Sequence, residues 1–456
     1  METDFFSRLR RVLERPMDPA GLAAFRVLFG LTMAFAVARF FLNGWVDELL
    51  VAPGYHFTYL GFDWVRPLPQ PFMLLAFGVM ALAALSVAVG LFTRLSAAIF
   101  CVLFTYAELI DKATYLNHYY LVSLLALLLV FVPSGTAWSL DAWRRARASR
   151  ATAASVPALS YLVLRAQVAV VYVFAGLAKL DGDWLVRAEP LKTWLRARVE
   201  SPLLAGFVAE PWVPHAMSSA GAAFDLAIVP LLCVRRTRPF ALAVAVFFHL
   251  SIWLLFPIGV FSFVMLVAIS VFFEPNWPRR FLGRLVRLAP YAPAAQFASP
   301  RPLALVFATA FVAVQLFVPL RHALYPGSVN WTEQGFRFAW RVMLVEKSGR
   351  VEYDVTTSAG RFRVFPRDEL TPLQLRQMAT QPDMIQQYAH HLRRRFEADG
   401  YRNVRVRADA WVAFNGRRSQ RLIDPTTDLA STERSFAPKP WILPLDEHSP
   451  TRVAHH

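Results

Sequence analysis

The sequence predicts a mainly α-helical fold: a polytopic membrane bundle of about nine transmembrane helices with a small α+β extracytoplasmic domain at its C-terminal end. Three observations predict it. Hydrophobic residues make up 56% of the chain and aromatic ones 14%, with a mean hydropathy of +0.38. They fall into blocks of about 20 residues, the length that crosses a hydrocarbon core. Arginines cluster in the short breaks between blocks, and beyond residue 320 the blocks give way to alternating patterns. The expected division is a membrane domain over 1–320 and an extracytoplasmic domain over 321–456.

Taken in order, the spans are expected at about 21–42, 71–92, 95–110, 118–134, 157–180, 216–234, 239–256, 257–275 and 302–320. The N-terminus imitates a signal peptide, with Arg8, Arg10 and Arg11 before an apolar stretch and Ala36-Val37-Ala38 as a cleavage-like triplet. The stretch runs on to Leu42 and is long enough to span, so it reads as a retained first helix. The third and fourth spans are short, and Phe256-Pro257 alone divides the seventh from the eighth. Basic clusters at 8–15, Arg94, 144–150, 235–238 and 279–287 all fall on one face of a nine-span arrangement. That puts the N-terminus in the cytoplasm and everything after Leu320 outside. The basic loop 181–214 is expected to lie along the membrane interface, with Trp184, Trp194 and Trp212 as anchors. The linkers Ala148–Ser155 and Ala289–Pro302 carry no motif. In the outer domain, Val351–Thr357 and Arg361–Phe365 read as a hairpin around Ser358-Ala359-Gly360. Thr371–Asp399 reads as one amphipathic helix stopped at Gly400, and Val404–Phe414 as another strand.

The net charge of +16 belongs to this inside–outside pattern and not to nucleic-acid binding. Cys101 and Cys233 both lie in apolar blocks, which indicates neither a disulfide framework nor a thiolate metal site. No phosphate-binding G-x-x-x-x-G-K-[ST], H-E-x-x-H, C-x-x-C or G-x-S-x-G is present, which disfavours a nucleotide-driven pump and a zinc peptidase.

The polar residues within the apolar part are informative. The fifth span ends in VYVFAGLAKLDGDW, with Lys179 at its mouth and Asp181, Asp183 and Trp184 following. Burying an amine disfavours its charged form and makes a neutral, basic form accessible; the plainer reading is snorkelling, or pairing with Asp181. The topology brings Lys179, Asn117 and His118 (opening span four), His215 (opening span six), Asp111-Lys112 and His322 (after span nine) to the same outer face. Scattered snorkelling residues would occupy both faces, yet the inner face holds arginines, which do not deprotonate. Each also has a structural alternative: Asn117 is a favoured helix cap, and Arg165 and Asp225 are expected to pair inside the bundle. His249 lies within span seven, and His390 and His391 read as a solvated helix face. Asn330-Trp331-Thr332 matches a glycosylation sequon.

Six stretches then carry a family likeness. RPMDPAGLAAFRVLFG (15–30), DKATYLNHYYL (111–121), FAGLAKLDGDW (174–184), FFHLSIWLLFPIGVFSFVML (247–266), VNWTEQGFRFAWRVM (329–343) and RLIDPTTD (421–428) resemble the vitamin K-dependent gamma-glutamyl carboxylases, in that family's order. The resemblance implies an enzyme that oxidises vitamin K hydroquinone with O2 to the epoxide. It couples this to CO2 addition at the γ-carbon of a protein glutamate, without metal or nucleotide. It implies Lys179 as the base, Asn117 and His118 beside the quinone with His249 also in the quinone site, and His322, Trp331, Phe336 and Trp340 on the glutamate side. The implied partners are the bilayer, a lipid quinone entering from it and a glutamate-containing protein or peptide. Ala178 stands where vertebrate members have a second lysine, leaving Lys179 alone for the role, and Phe336 replaces a tyrosine. Two alternatives stay open: a quinol epoxidase or carboxylase of another substrate, and a non-enzymatic quinone- or lipid-binding module.

Overall fold

A computed structural model of the chain describes residues 2–148, 155–198, 206–208, 210–283 and 302–447. Among these, seven helices are long and apolar enough to cross a membrane: Ala20–Leu42, Gln70–Val89, Thr93–Ile110, Leu159–Ala178, Trp212–Cys233, Arg238–Leu255 and Pro302–Leu324. Two shorter apolar helices, Asn117–Phe131 and Phe261–Phe272, stand where the fourth and eighth spans are expected. The protein is a multi-pass membrane protein. The linker readings at 149–154 and 289–301 lie outside the described residues.

Sequential packing builds the first half of the bundle, each of the first four apolar helices lying against the next. Close approach there depends on small residues: a Cβ on Gly30 would sit 2.5 Å from the Ala88 backbone nitrogen, against a helix that presents Ala84 and Ala88. In the second half, Leu159–Ala178 packs against Trp212–Cys233 and Pro302–Leu320, while Phe261–Ile269 touches the first, fourth, fifth and seventh helices and joins the halves. The break at Phe256-Pro257 ends one helix at Leu255 and delays the next until Phe261. A two-stranded antiparallel pair, β1 (Pro16–Met17) with β2 (Val156–Pro157), clips the start of the first span to the start of the fifth.

The C-terminal part holds a four-stranded antiparallel sheet in the order β4-β3-β5-β6, from β3 (Lys347–Thr357), β4 (Gly360–Val364), β5 (Arg405–Phe414) and β6 (Gln420–Arg421). The hairpin turns where Thr357 pairs with Gly360, whose φ of +141° suits glycine. Val351, Tyr353 and Val355 of β3 and Val406, Ala408, Ala410 and Val412 of β5 alternate inward, and helix Pro382–Ala398 covers them with Ile385, Tyr388 and Leu392.

Four expectations are corrected. The segment 371–399 forms two helices, Pro372–Met378 and Pro382–Ala398, because Pro382 cannot continue the first helix's hydrogen-bond ladder. Thr371 and Gln374 cap the first reciprocally. His390 and His391 are half-buried and not solvated, bonded to the Leu429 carbonyl and to Glu369. Of the three tryptophans expected at the interface, Trp184 is buried against Ser218 and Trp194 bonds Glu346, leaving Trp212 exposed. Asn330 is buried and accepts from the Arg341 guanidinium at 2.9 Å, so the sequon is not a surface acceptor.

Candidate active site

The fifth span presents the site. Helix Leu159–Ala178 ends with Lys179 as its C-cap, and the amide of Lys179 bonds the Gly176 carbonyl. The side chain turns inward, and Nζ donates to Asp225 Oδ2 at 2.7 Å with both side chains buried. Gly176 makes this contact reachable: a Cβ there would fall 2.7 Å from Leu226 Cδ2, so the glycine lets the two helices close on each other beside Asp225. The Trp184 ring lies 5.3 Å from Lys179 Nζ and supplies a cation–π contact. Trp184 is itself fixed by its indole N–H on the Ser218 carbonyl at 2.8 Å.

Asp225 therefore pairs with Lys179, and not with Arg165 as the sequence suggests. Arg165 instead donates to the Val271 and Phe273 carbonyls, which lie at the end of a short helix and lack helical partners. Nor does Lys179 pair with Asp181, whose carboxylate accepts from the Asp183 amide and caps the turn Gly182–Leu185. The physical reason is an offset between neighbouring helices. Leu226, far along Trp212–Cys233, lies against Gly176 near the end of the fifth span. The first turns of the sixth helix thus extend past the end of the fifth.

His249 comes in from helix Arg238–Leu255, its Nε2 2.7 Å from the Tyr172 hydroxyl and its buried Nδ1 without a hydrogen-bond partner among the described residues. A cavity of about 90 Å³ opens between these groups, lined by Lys179, Asp225, His249, Tyr172 and Trp184 with Phe248, Phe256, Phe261 and Met343. Flat aromatic walls with a few convergent polar atoms suit a planar, largely apolar ligand.

Neither Asn117 nor His118 lines this cavity; each stands one residue behind its wall. The His118 ring, buried at the start of Asn117–Phe131, packs 5.7 Å from the Phe261 ring, which lies 6.1 Å from that of His249. Asn117 does not cap its helix. It accepts from the Tyr115 hydroxyl at 3.0 Å and donates through Nδ2 to the Arg341 carbonyl at 3.2 Å, one residue before cavity-lining Val342. Arg341 belongs to a strap, 333–343, in which Glu333, Phe338, Trp340 and Met343 all have φ between +56° and +63°. Such left-handed residues cost about 1–2 kcal/mol each and concentrate at functional segments.

The remaining candidates lie elsewhere. His322 Nδ1 sits 2.7 Å from the Pro319 carbonyl, and its backbone presses on Gly335, where a Cβ would come within 2.7 Å of it. Trp331 is buried in the core of the C-terminal sheet region, its indole bonded to the Leu443 carbonyl at 2.8 Å. Trp340 is buried and stacks on Tyr120 at 5.0 Å. Phe336 is half-buried on the strap. His215 is half-buried, bonded to the Pro211 and Val186 carbonyls. Sequence reasoning missed Asp225 as the lysine's partner and Tyr172 as the histidine's. The one available signal was that an acid within a span needs a partner.

Residues 14–277 match the HTTM domain family, and residues 300–448 match the family described as vitamin K-dependent gamma-carboxylase, lumenal domain. The first match alone covers more than half of the chain. No solved structure matches the chain.

Proposed function

The chain belongs to the vitamin K-dependent gamma-carboxylase family, and on that premise we propose that it oxidises vitamin K hydroquinone with O2 to the epoxide and couples this to CO2 addition at the γ-carbon of a protein glutamate. The observation that carries this reading is the buried Lys179–Asp225 pair on an aromatic-walled cavity. Bound in that cavity, the quinol supplies the reducing equivalents and a hydroxyl proton. Lys179 is the base that receives the proton. The pair holds its own proton on Nζ as ammonium and carboxylate, or on Asp225 as amine and carboxylic acid, and 2.7 Å separates the two arrangements. The free amine is thus reached by a short transfer within the pair, in a cavity whose aromatic walls exclude water.

His249 fits the same ligand. Its unpartnered Nδ1 is a buried polar atom in want of a hydrogen bond, with Tyr172 fixing the opposite ring nitrogen. His118 serves as a second base on the Phe261 side, and Asn117 positions the strap through the Arg341 carbonyl. We assign the glutamate side to the strap and its neighbours His322 and Phe336. Trp331 and Trp340, both buried, act there by holding the strap in place. In this reading the N-terminus is cytoplasmic, residues 321–456 form the extracytoplasmic domain, the quinone enters from the bilayer and the peptide from outside.

The test uses the full chain in detergent with reduced vitamin K, O2, carbon-14 bicarbonate and a glutamate peptide. Wild type is expected to form epoxide and label the peptide, and Lys179→Ala to do neither. Epoxide without label would replace this reading by a quinol epoxidase. Quinone binding with no oxygen-dependent turnover would replace it by a binding module.

A further inference from the structure

A second cavity, of about 260 Å³ and larger than that of Lys179, opens between the first three spans and helix Pro372–Met378. Two ionisable side chains line it, Arg39 in the last turn of the first span and Glu108 in the last turn of the third. They do not pair with each other. The Arg39 guanidinium lies over the Trp45 ring at 5.2 Å and meets no carboxylate among the described residues. Glu108 is half-buried and has neither a hydrogen bond nor an ion pair among them. Ionisable groups inside a membrane bundle face a partner of opposite charge or a functional cavity, and here the bundle supplies the cavity alone. From the charged end the wall turns apolar. Phe104 and Phe100 stand one and two turns before Glu108 on the same helix face, opposite Val37, Phe77 and Met80.

One positive and one negative group at the end of an apolar slot fit a molecule that carries both charges and a tail. A neutral quinol would leave both wall charges unanswered. An anionic lipid would answer Arg39 and set a second negative charge beside Glu108. An ethanolamine phospholipid has a phosphate for the guanidinium, an ammonium whose N–H groups suit a carboxylate, and an acyl chain for the slot. Among the described residues this cavity shares no lining residue with that of Lys179. It does back onto His118: Tyr119 lines it, and the Tyr119 ring packs 4.6 Å from the His118 ring.

We propose that this cavity is a binding site for a zwitterionic, amine-bearing phospholipid. Its phosphate lies on Arg39, its ammonium on Glu108 and one acyl chain among the first three spans. The bound lipid completes the charge pairing that the helices leave open and fills the space behind Tyr119.

Native mass spectrometry of the full chain from detergent tests it, with phosphatidylethanolamine and phosphatidylglycerol of identical acyl chains as probes. Wild type is expected to hold phosphatidylethanolamine about tenfold more tightly than phosphatidylglycerol, about 1.4 kcal/mol. Glu108→Gln keeps the size of the side chain and should bring the two lipids level. Arg39→Gln should weaken both about tenfold, since each presents a phosphate. Phosphatidylglycerol bound as tightly as phosphatidylethanolamine by wild type overturns the proposal. So does a tenfold preference that survives in folded Glu108→Gln. Displacement of bound phosphatidylethanolamine by vitamin K hydroquinone overturns it as well, because the cavity would then belong to the quinone. The wild-type comparison and the competition decide the matter even if neither variant folds.

Discussion

Two buried ion pairs lie within five residues of each other in sequence and differ in how fully they are satisfied. Asp183 is saturated: Arg417 grips both oxygens at 2.7 Å, and Asn415 adds a bond at 3.1 Å. Among the described residues Asp225 accepts from Lys179 alone, and the pair faces a cavity. The first is a clamp, tying the turn after the fifth span to the C-terminal sheet through a planar, two-pronged fork. The second has spare donor and acceptor capacity, and its cation is an amine, not a guanidinium. Burial is common to both, so burial alone does not mark chemistry. What separates them is the unspent hydrogen-bonding capacity turned toward open space.

The largest effect that bears on this contrast is expected from Lys179→Arg, which keeps the positive charge beside Asp225 but removes a group able to act as base. Epoxide formation should fall by about 10²–10⁴-fold with the fold retained, as read by thermal unfolding in detergent. Full activity in the arginine variant would reduce the Lys179 pair to a second clamp. The converse is expected of Arg417→Ala. Removing the fork leaves the Asp183 carboxylate buried with only Asn415 and a distant Arg187, at a cost of about 3–5 kcal/mol, while turnover per folded molecule stays near wild type.

Asp383 lies between these cases. Burial would raise its carboxyl, but the charges of Arg337 and Lys112 win and hold it well below the usual carboxylate range. Burial brings Lys112 down to about 8 against the pull of Asp383. With the folded carboxyl depressed, its stabilisation is complete above the unfolded value near pH 4 and is lost as pH falls below it. Asp383→Asn should therefore cost about 2–3 kcal/mol at neutral pH, less than a fully buried pair, and flatten the acid-side fall in the unfolding temperature. An unchanged acid limb would show that the junction draws nothing from this cluster. The smallest effect is expected from Asn117→Ala, about tenfold on the epoxidation rate through the loosened strap, with little change in unfolding temperature.

The apolar blocks determine the bundle by length and composition, because a span about 20 residues long has few other stable outcomes. The shift to alternation determines the sheet with its inward faces, since a period of two sorts side chains between the two sides of a strand. The stretch ending in Lys179 and the collinear family stretches were likewise legible. The tertiary structure decided the lysine's partner. Counted along the chain, Asp225 lies thirteen residues into its helix and looks level with Arg165. Only the offset packing of Gly176 on Leu226 brings it to Lys179. The cluster around Asp383 had the same origin, since Lys112, Arg337 and Asp383 come from distant parts of the chain. Periodicity reports which face of an element is buried. How far one element slides past another depends on the residues at their contact, and that displacement chose the partner of each buried charge.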